Sequence, residues 1–176
     1  MIFYKQAATA YELEQILTLQ QKNLPKNLSN EEIGSQGFLT VEHTFAVLQE
    51  MNQTCPHIIA TEKNQVVGYA LCMHPKFSRT IEVLRPMFYE INQVVSKNEN
   101  YLVMGQICIA KEFRGKGIFR GLYETMKRTL PFGFDHIITE VDTKNHRSMN
   151  AHSAIGFREL KRYTANGKEW SLIVLK

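Results

Sequence analysis

Residues 106–130 read QICIAKEFRGKGIFRGLYETMKRTL, and no other stretch restricts the chain as strongly. An apolar run ends in Arg114-Gly115-Lys116-Gly117, after which apolar residues recur at Ile118, Leu122, Met126 and Leu130 with Phe119 and Tyr123 beside them. That recurrence has the period of an α-helix, not the two-residue alternation of a strand. Lys127 and Arg128 fall where the last turn favours cations, and Pro131 ends the helix. Strand, glycine loop and helix in this order make an anion cradle. The glycines remove side-chain bulk so that backbone N–H groups converge, the helix adds its unsatisfied first-turn N–H groups, and Arg114 and Lys116 add charge. Taken alone, the four loop residues also fit an ordinary surface turn.

The rest of the chain alternates short strand and helix signals. Ile2–Ala7 reads as a strand, and Thr9-Ala10-Tyr11-Glu12 as a capping box opening a helix that buries Leu13, Ile16, Leu17 and Leu24 and closes at Leu24-Pro25. Ser29-Asn30-Glu31-Glu32 offers a second capping box, broken by Gly34 and Gly37. Thr40 is expected to cap a further helix with Val41, Phe45 and Leu48 on its apolar face. His57–Thr61 and Gln65–Met73 predict an antiparallel hairpin through Glu62-Lys63-Asn64. Residues 74–84 carry no assignment, and Arg85-Pro86 opens a helix along Met87, Ile91, Val94 and Val95. Tyr101–Ala110 is nearly continuous in apolar residues, as in a strand covered on both faces. His136–Asp142 follows at the spacing of a right-handed parallel crossover. Asn145–Ile155 is a short helix with Gly156 at its end, and Arg158–Thr164 and Lys168–Leu175 flank the hairpin dipeptide Asn166-Gly167.

With 176 residues, 44% hydrophobic and 22% charged, the chain has the size and composition of one soluble globular domain over residues 1–176. No apolar run approaches the roughly 20 residues needed to cross a bilayer, and Ile2-Phe3-Tyr4-Lys5 does not resemble a leader, so a cytoplasmic protein without a membrane partner is expected. Cys55, Cys72 and Cys108 are too scattered for a disulfide framework, and the histidines lack metal-ligand spacing, so no metal is expected. The net charge of +4 comes from dispersed lysines and arginines without interleaved aromatics, which argues against nucleic acid.

Arg114-Gly115-Lys116-Gly117-Ile118-Phe119 resembles motif A of the GNAT (general N-acetyltransferase) superfamily, whose signature is Gln/Arg-x-x-Gly-x-Gly/Ala. Phe119 departs from the small residue of the last position. The element order resembles the family across nearly the whole chain. The resemblance implies an α/β (α+β mixed) GNAT-like fold, a mostly antiparallel mixed sheet of six or seven strands flanked by helices, with two parallel strands splayed apart. It also implies acetyl-CoA as co-substrate, its pyrophosphate on Arg114, Gly115, Lys116, Gly117, Ile118 and Phe119, and its pantetheine paired with the backbone of Ile107, Cys108 and Ile109.

Residues 140–157 resemble the family's motif B. The resemblance places Asn145 beside the pantetheine, Ser148 on the small residue after it, and Glu140 where some members carry the general base. His152 stands where many members have a tyrosine that protonates the coenzyme thiolate. An imidazole titrating near about 6.5 is mostly neutral at pH 7, whereas a phenol near about 10 keeps its proton. Packing within its helix is the alternative for His152, and a solvated strand carboxylate the alternative for Glu140. Tyr101 and Gln106 are further candidates for orienting a water or the substrate. Cys108 has no recognisable base around it, so direct attack by the acceptor is favoured over an acyl-cysteine.

These readings converge on an N-acetyltransferase that moves an acetyl group to a primary amine, either a small-molecule amine or a protein N-terminus. Acceptor choice is expected in residues 24–40 and 74–101. A non-catalytic acyl-CoA sensor or scaffold of the same fold is the alternative, and pairing of two copies as a homodimer stays open.

Overall fold

The computed structural model describes residues 1–32, 39, 41–96 and 100–176. Its elements in chain order are β1 (Phe3–Gln6), α1 (Ala10–Lys22), α2 (Phe45–Thr54), β2 (Ile58–Glu62), β3 (Gln65–Met73), α3 (Arg85–Val94), β4 (Tyr101–Ile109), α4 (Ile118–Arg128), β5 (His136–Asp142), α5 (His146–Ala154), β6 (Arg158–Ala165) and β7 (Lys168–Leu175). Residues 74–84, unassigned from sequence, form 3-10 turns at Pro75–Arg79 and Glu82–Leu84. The strands join in the order β1-β2-β3-β4-β5-β7-β6, which bears out the mixed seven-stranded sheet with flanking helices. The parallel pairing of β4 with β5 runs over Tyr101–Val103 against His136–Ile138. Among the described residues, no helix is long and apolar enough to cross a membrane.

The chain divides into two compact units, Met1–Met73 with Met104–Thr129, and His74–Val103 with Leu130–Lys176. In the first, the Thr9 capping box forms as expected, Glu12 N–H donating to Thr9 Oγ1 at 3.2 Å and Thr9 N–H to Glu12 Oε2 at 3.1 Å. The buried face of α1 is Leu13, Ile16, Leu19 and Gln20, so Leu19 and Gln20 take the place expected for Leu17. The box at Ser29 also closes, Glu32 N–H reaching Ser29 Oγ at 3.2 Å and Ser29 N–H reaching Glu32 Oε2 at 3.1 Å.

The cap of α2 is Thr44, whose Oγ1 accepts from Val47 N–H at 3.4 Å. Thr40 lies outside the described residues, and Val41 precedes the helix instead of lying on it. Two threonines stand before one apolar run, and sequence spacing chose the wrong one. His57 then staples α2 to β3. Its Nδ1 accepts from Cys72 N–H at 3.1 Å, so the neutral ring carries its proton on Nε2, which donates to Leu48 O at 3.1 Å. Burial pushes this imidazole down to about 3, and it stays neutral in the folded chain.

The β2–β3 hairpin turns at Lys63 and Asn64, both left-handed with φ of 48° and 64°. Its register shifts so that Ala60 faces Gly68 while Thr61 faces Val66. Val67 is the extra residue of this bulge, and its carbonyl accepts from Ala110 N–H at 2.8 Å, just past the end of β4. Gly68 sits under the start of α4: a Cβ there would meet Ile118 Cγ2 at 3.2 Å and the Cys108 carbonyl oxygen at 3.3 Å. Bulge and glycine together fix the height at which the chain leaves β4 and enters α4.

In the second unit, Arg85–Val94 forms the expected helix with Met87, Phe88 and Ile91 buried. α5 ends at Ala154 with Ile155 as its cap; Gly156 follows with a φ of 103°, which favours glycine, and Phe157 N–H reaches back to His152 O at 3.1 Å. Asn166 and Gly167, with φ of 52° and 71°, make the two-residue turn of the β6–β7 hairpin.

Substituting Gly68→Val should destabilise the chain by about 1–3 kcal/mol, because backbone oxygen and Ile118 leave no room for the added carbons. Urea denaturation followed by circular dichroism reads the loss directly, and an unchanged midpoint would refute the close approach.

Candidate functional site

In the first unit, β4 runs into a 3-10 turn at Lys111–Phe113 and then into the glycine loop. Gly115 and Gly117 both adopt left-handed backbone, φ 73° and 77°, both are exposed, and a Cβ at either would meet nothing within 4 Å. The loop therefore faces open space. Gly117 is the N-cap of α4, and no side chain caps that terminus. The positive end of the helix dipole is therefore not met by a serine or aspartate side chain.

The two loop cations are placed differently. Arg114 is half-buried, its Nε–H donating to Ile109 O at 3.0 Å and its Nη2–H to Asn23 Oδ1 at 2.7 Å, so its guanidinium pins the loop to the end of β4 and to α1. Lys116 is exposed, with its Nζ 5.0 Å from the centre of the Phe113 ring. Phe119 lays its ring edge-on against buried Tyr123 at 5.2 Å, along the helix, so the bulky side chain at this position is taken up by packing on α4. Ile118 is buried over Gly68.

On β4, Ile107 and Ile109 are half-buried and Cys108 is buried. Burial pushes the Cys108 thiol up to about 12, only partly opposed by Arg114, which keeps it protonated at neutral pH. Gln106 is buried, and its amide is engaged inside the unit. Its Oε1 accepts from Gln20 Nε2 at 2.9 Å and Tyr69 Oη at 2.7 Å, and its Nε2 donates to Val41 O at 2.7 Å. The expectation that Gln106 orients a water or substrate gives way to this tie between α1, β3, β4 and residue 41.

In the second unit, Asn145 caps α5, its Oδ1 accepting from Ser148 N–H at 3.1 Å. His152 lies one turn further on and is 1% exposed. Its Nδ1 stands 2.8 Å from Ser148 O and 3.3 Å from Ser148 Oγ, and its ring meets Phe157 edge-on at 5.0 Å. A carbonyl only accepts, so Nδ1 carries the proton of the neutral ring and Nε2 a lone pair. Burial pushes this imidazole down to about 4 against the opposing pull of Ser148 O. Asn145, Ser148 and His152 thus form one connected group, from which Glu140 stands apart.

Glu140 sits on β5 opposite Leu172 of β7, and Lys161 of β6 lies opposite Leu172 on the other side. Alternation along β6 puts Tyr163 on that same face, where its Oη donates to Glu140 Oε2 across β7. Leu175, which faces the other way, packs against Gly156 at the end of α5. Burial raises the Glu140 carboxyl to about 7, the Tyr163 hydrogen bond pulling it partly back. Tyr163 is the residue that sequence reasoning missed. The available signal was register, since the Asn166-Gly167 turn fixes which β6 residue reaches the Glu140 face.

The Acetyltransferase (GNAT) family profile matches residues 14–157, and the chain belongs to this family of acetyltransferases. Solved structures share the fold over almost all of both chains. Arabidopsis thaliana NAA60 in complex with acetyl-CoA is 13% identical, with a TM-score of 0.68 over 99% of this chain and 99% of that one. PH1933 from Pyrococcus horikoshii is 20% identical, with a TM-score of 0.66 over 99% and 97%. A chain of the NatC complex bound to Gag peptide and CoA is 18% identical, with a TM-score of 0.66 over 99% and 97%. No curated protein matches the chain in sequence.

The raised Glu140 carboxyl has a consequence for stability. Below pH 4.5 both folded and unfolded chains hold its proton; between 4.5 and about 7 only the folded chain does, so stability falls as pH rises through that window. Relative to wild type, Glu140→Gln should gain stability steadily from pH 4.5 to 7, by up to about 3 kcal/mol, and hold the gain above. A series of urea midpoints against pH measures it, and a pH-independent difference would mean that the carboxyl is not raised.

Proposed function

We propose that the protein is an acetyl-CoA-dependent N-acetyltransferase in which a primary amine attacks the acetyl thioester directly. The open loop at Gly115 and Gly117, leading into a helix N-terminus that no side chain caps, is the observation that carries this reading within the acetyltransferase family. The loop fits a diphosphate: two exposed glycines leave the space that side chains would fill, backbone and helix dipole supply the positive field, and Lys116 adds an exposed charge. Arg114 contributes by holding the loop's shape from beneath. The backbone of Ile107, Cys108 and Ile109 is assigned to the pantetheine, and Asn145 and Ser148 to its flank. When bound, the co-substrate supplies an acetyl group activated as a thioester.

An acceptor amine arrives mostly as its ammonium and must lose a proton before it attacks. Glu140 is assigned that proton. A carboxyl held up to about 7 is half ionised at neutral pH and is a stronger base than an exposed one. The acid role considered for His152 is not retained in this reading, because its ring is buried and neutral and its one proton is directed at Ser148 O. A protein N-terminus is favoured over a small amine as acceptor, in line with the peptide and CoA held by the NatC neighbour.

Gly117→Glu places bulk and negative charge in the cradle, and calorimetry should show acetyl-CoA binding at least about 100-fold weaker, or about 2.7 kcal/mol, with the fold retained. Unchanged affinity would remove the loop from the cofactor site. With an amine and peptide panel, wild-type kcat/KM should fall about tenfold per pH unit below the Glu140 value, because protonation removes the base. Glu140→Gln should lower kcat/KM by about 100-fold or more and flatten that limb. Tight acetyl-CoA binding with no thiol release across the panel would instead favour an acyl-CoA sensor.

A further inference from the structure

The Glu140 carboxylate has a single hydrogen-bond partner among the described residues, and it comes from neither β7 nor its own strand. We infer that Tyr163 is a positioning residue for Glu140: its phenol, presented from β6 across β7, holds Oε2 and leaves Oε1 to take a proton from the acceptor ammonium. The inference rests on the reading of Glu140 as the base and adds what makes a half-buried carboxylate usable as one.

The surroundings explain why a phenol suits this position. The titratable groups on this face are Tyr101 on β4 and His136 on β5, Asp142 on β5 with Lys168 on β7, Arg158 (exposed, opposite Val174 at the far end), Lys161 and Tyr163 on β6, and Glu90 on α3. Lys161 is paired with Glu90, and Lys168 with Asp142 at 3.4 Å, so both nearby ammonium groups already have carboxylate partners. A cation placed directly on Glu140 would hold it ionised and leave it a weak base. An apolar neighbour would let burial keep it protonated. The phenol does neither. Burial first, then the charges of Glu140 and Glu90, raise Tyr163 far above its ordinary value, so it keeps its proton and only donates. Its donated hydrogen bond lowers the carboxyl against burial. In the proton transfer the ammonium N–H bond breaks, an O–H bond forms at Oε1, and the Tyr163 proton stays where it is.

The pH dependence separates this role from simple packing. In Tyr163→Phe the midpoint of the acidic limb of kcat/KM should move up by about one unit or more, giving about a tenfold loss at pH 6.5 that recovers toward wild type at pH 9. Replacing Tyr163 with 3,5-difluorotyrosine, a stronger donor of the same shape, should move the midpoint down. Carbon-13 NMR of the Glu140 carboxyl, assigned by its absence in Glu140→Gln, reads the same shifts without turnover and serves if Tyr163→Phe proves unstable. A loss uniform across pH, or a carboxyl that titrates at the wild-type pH in both Tyr163 variants, overturns the inference while leaving the base reading intact. If Glu140→Gln keeps the wild-type limb, the base reading itself falls and this inference with it.

Discussion

One buried amide holds the first unit together around the loop. Gln106 receives Gln20 from α1 and Tyr69 from β3, and gives its own N–H to the Val41 carbonyl. Gln20 is oriented in turn by His43, whose backbone N–H donates to Gln20 Oε1 at 2.8 Å and whose Nδ1 lies 3.1 Å from Gln20 Nε2. Each bond contributes about 0.5–1.5 kcal/mol net, but a buried partner left without one costs about 1–3 kcal/mol, so the group acts as a whole. Burial keeps His43 neutral, pushed down to about 4, and a neutral ring is what lets its Nδ1 accept. The end of β4 is thereby fixed three residues before Ile109, and the loop leaves from a strand that cannot slide.

Much of this frame was legible because it depends on local rules. Thr9 with Glu12 forms its capping box, Pro86 falls in the first turn of α3, and Asn166-Gly167 turns the last hairpin, since each signal states a backbone requirement within four residues. The stripe of Ile118, Leu122, Tyr123 and Met126 is buried because helical periodicity leaves one face to the core. Thr40 against Thr44 failed for the same reason in reverse, two equivalent local signals with only tertiary packing to choose between them. Gln106 shows the other limit. Its side chain looked available from sequence, and three long-range bonds, to residues 65, 86 and 37 positions away, employ it inside.

The site residues follow that division. The loop could be read from its glycines because left-handed backbone beside a helix start is a property of residue type, and the structure places Gly115 and Gly117 in it. The chemistry of Glu140 and His152 could not be read, because it is set by burial and by partners that sequence proximity does not reveal. Both were considered as proton carriers from their positions in a motif. Desolvation drives them in opposite directions along the pH scale, the carboxyl up to about 7 and the imidazole down to about 4, because burial penalises whichever form is charged. The same physical effect leaves a common acid half ionised near neutral pH and leaves a common switch residue neutral there.

Arg114 shows a loop cation engaged in holding shape. Sequence suggested two loop cations facing an anion, yet its guanidinium is engaged by Ile109 O and Asn23 Oδ1. Positive charge near the loop persists, but its hydrogen-bond donors are largely committed to holding a turn that two flexible glycines would otherwise leave floppy. Conformational freedom that lets amides converge also lets them diverge, so an anion site built from glycine needs an anchor that is not glycine. A planar cation fits that duty, because its several N–H donors can fasten a strand end and a helix end at once.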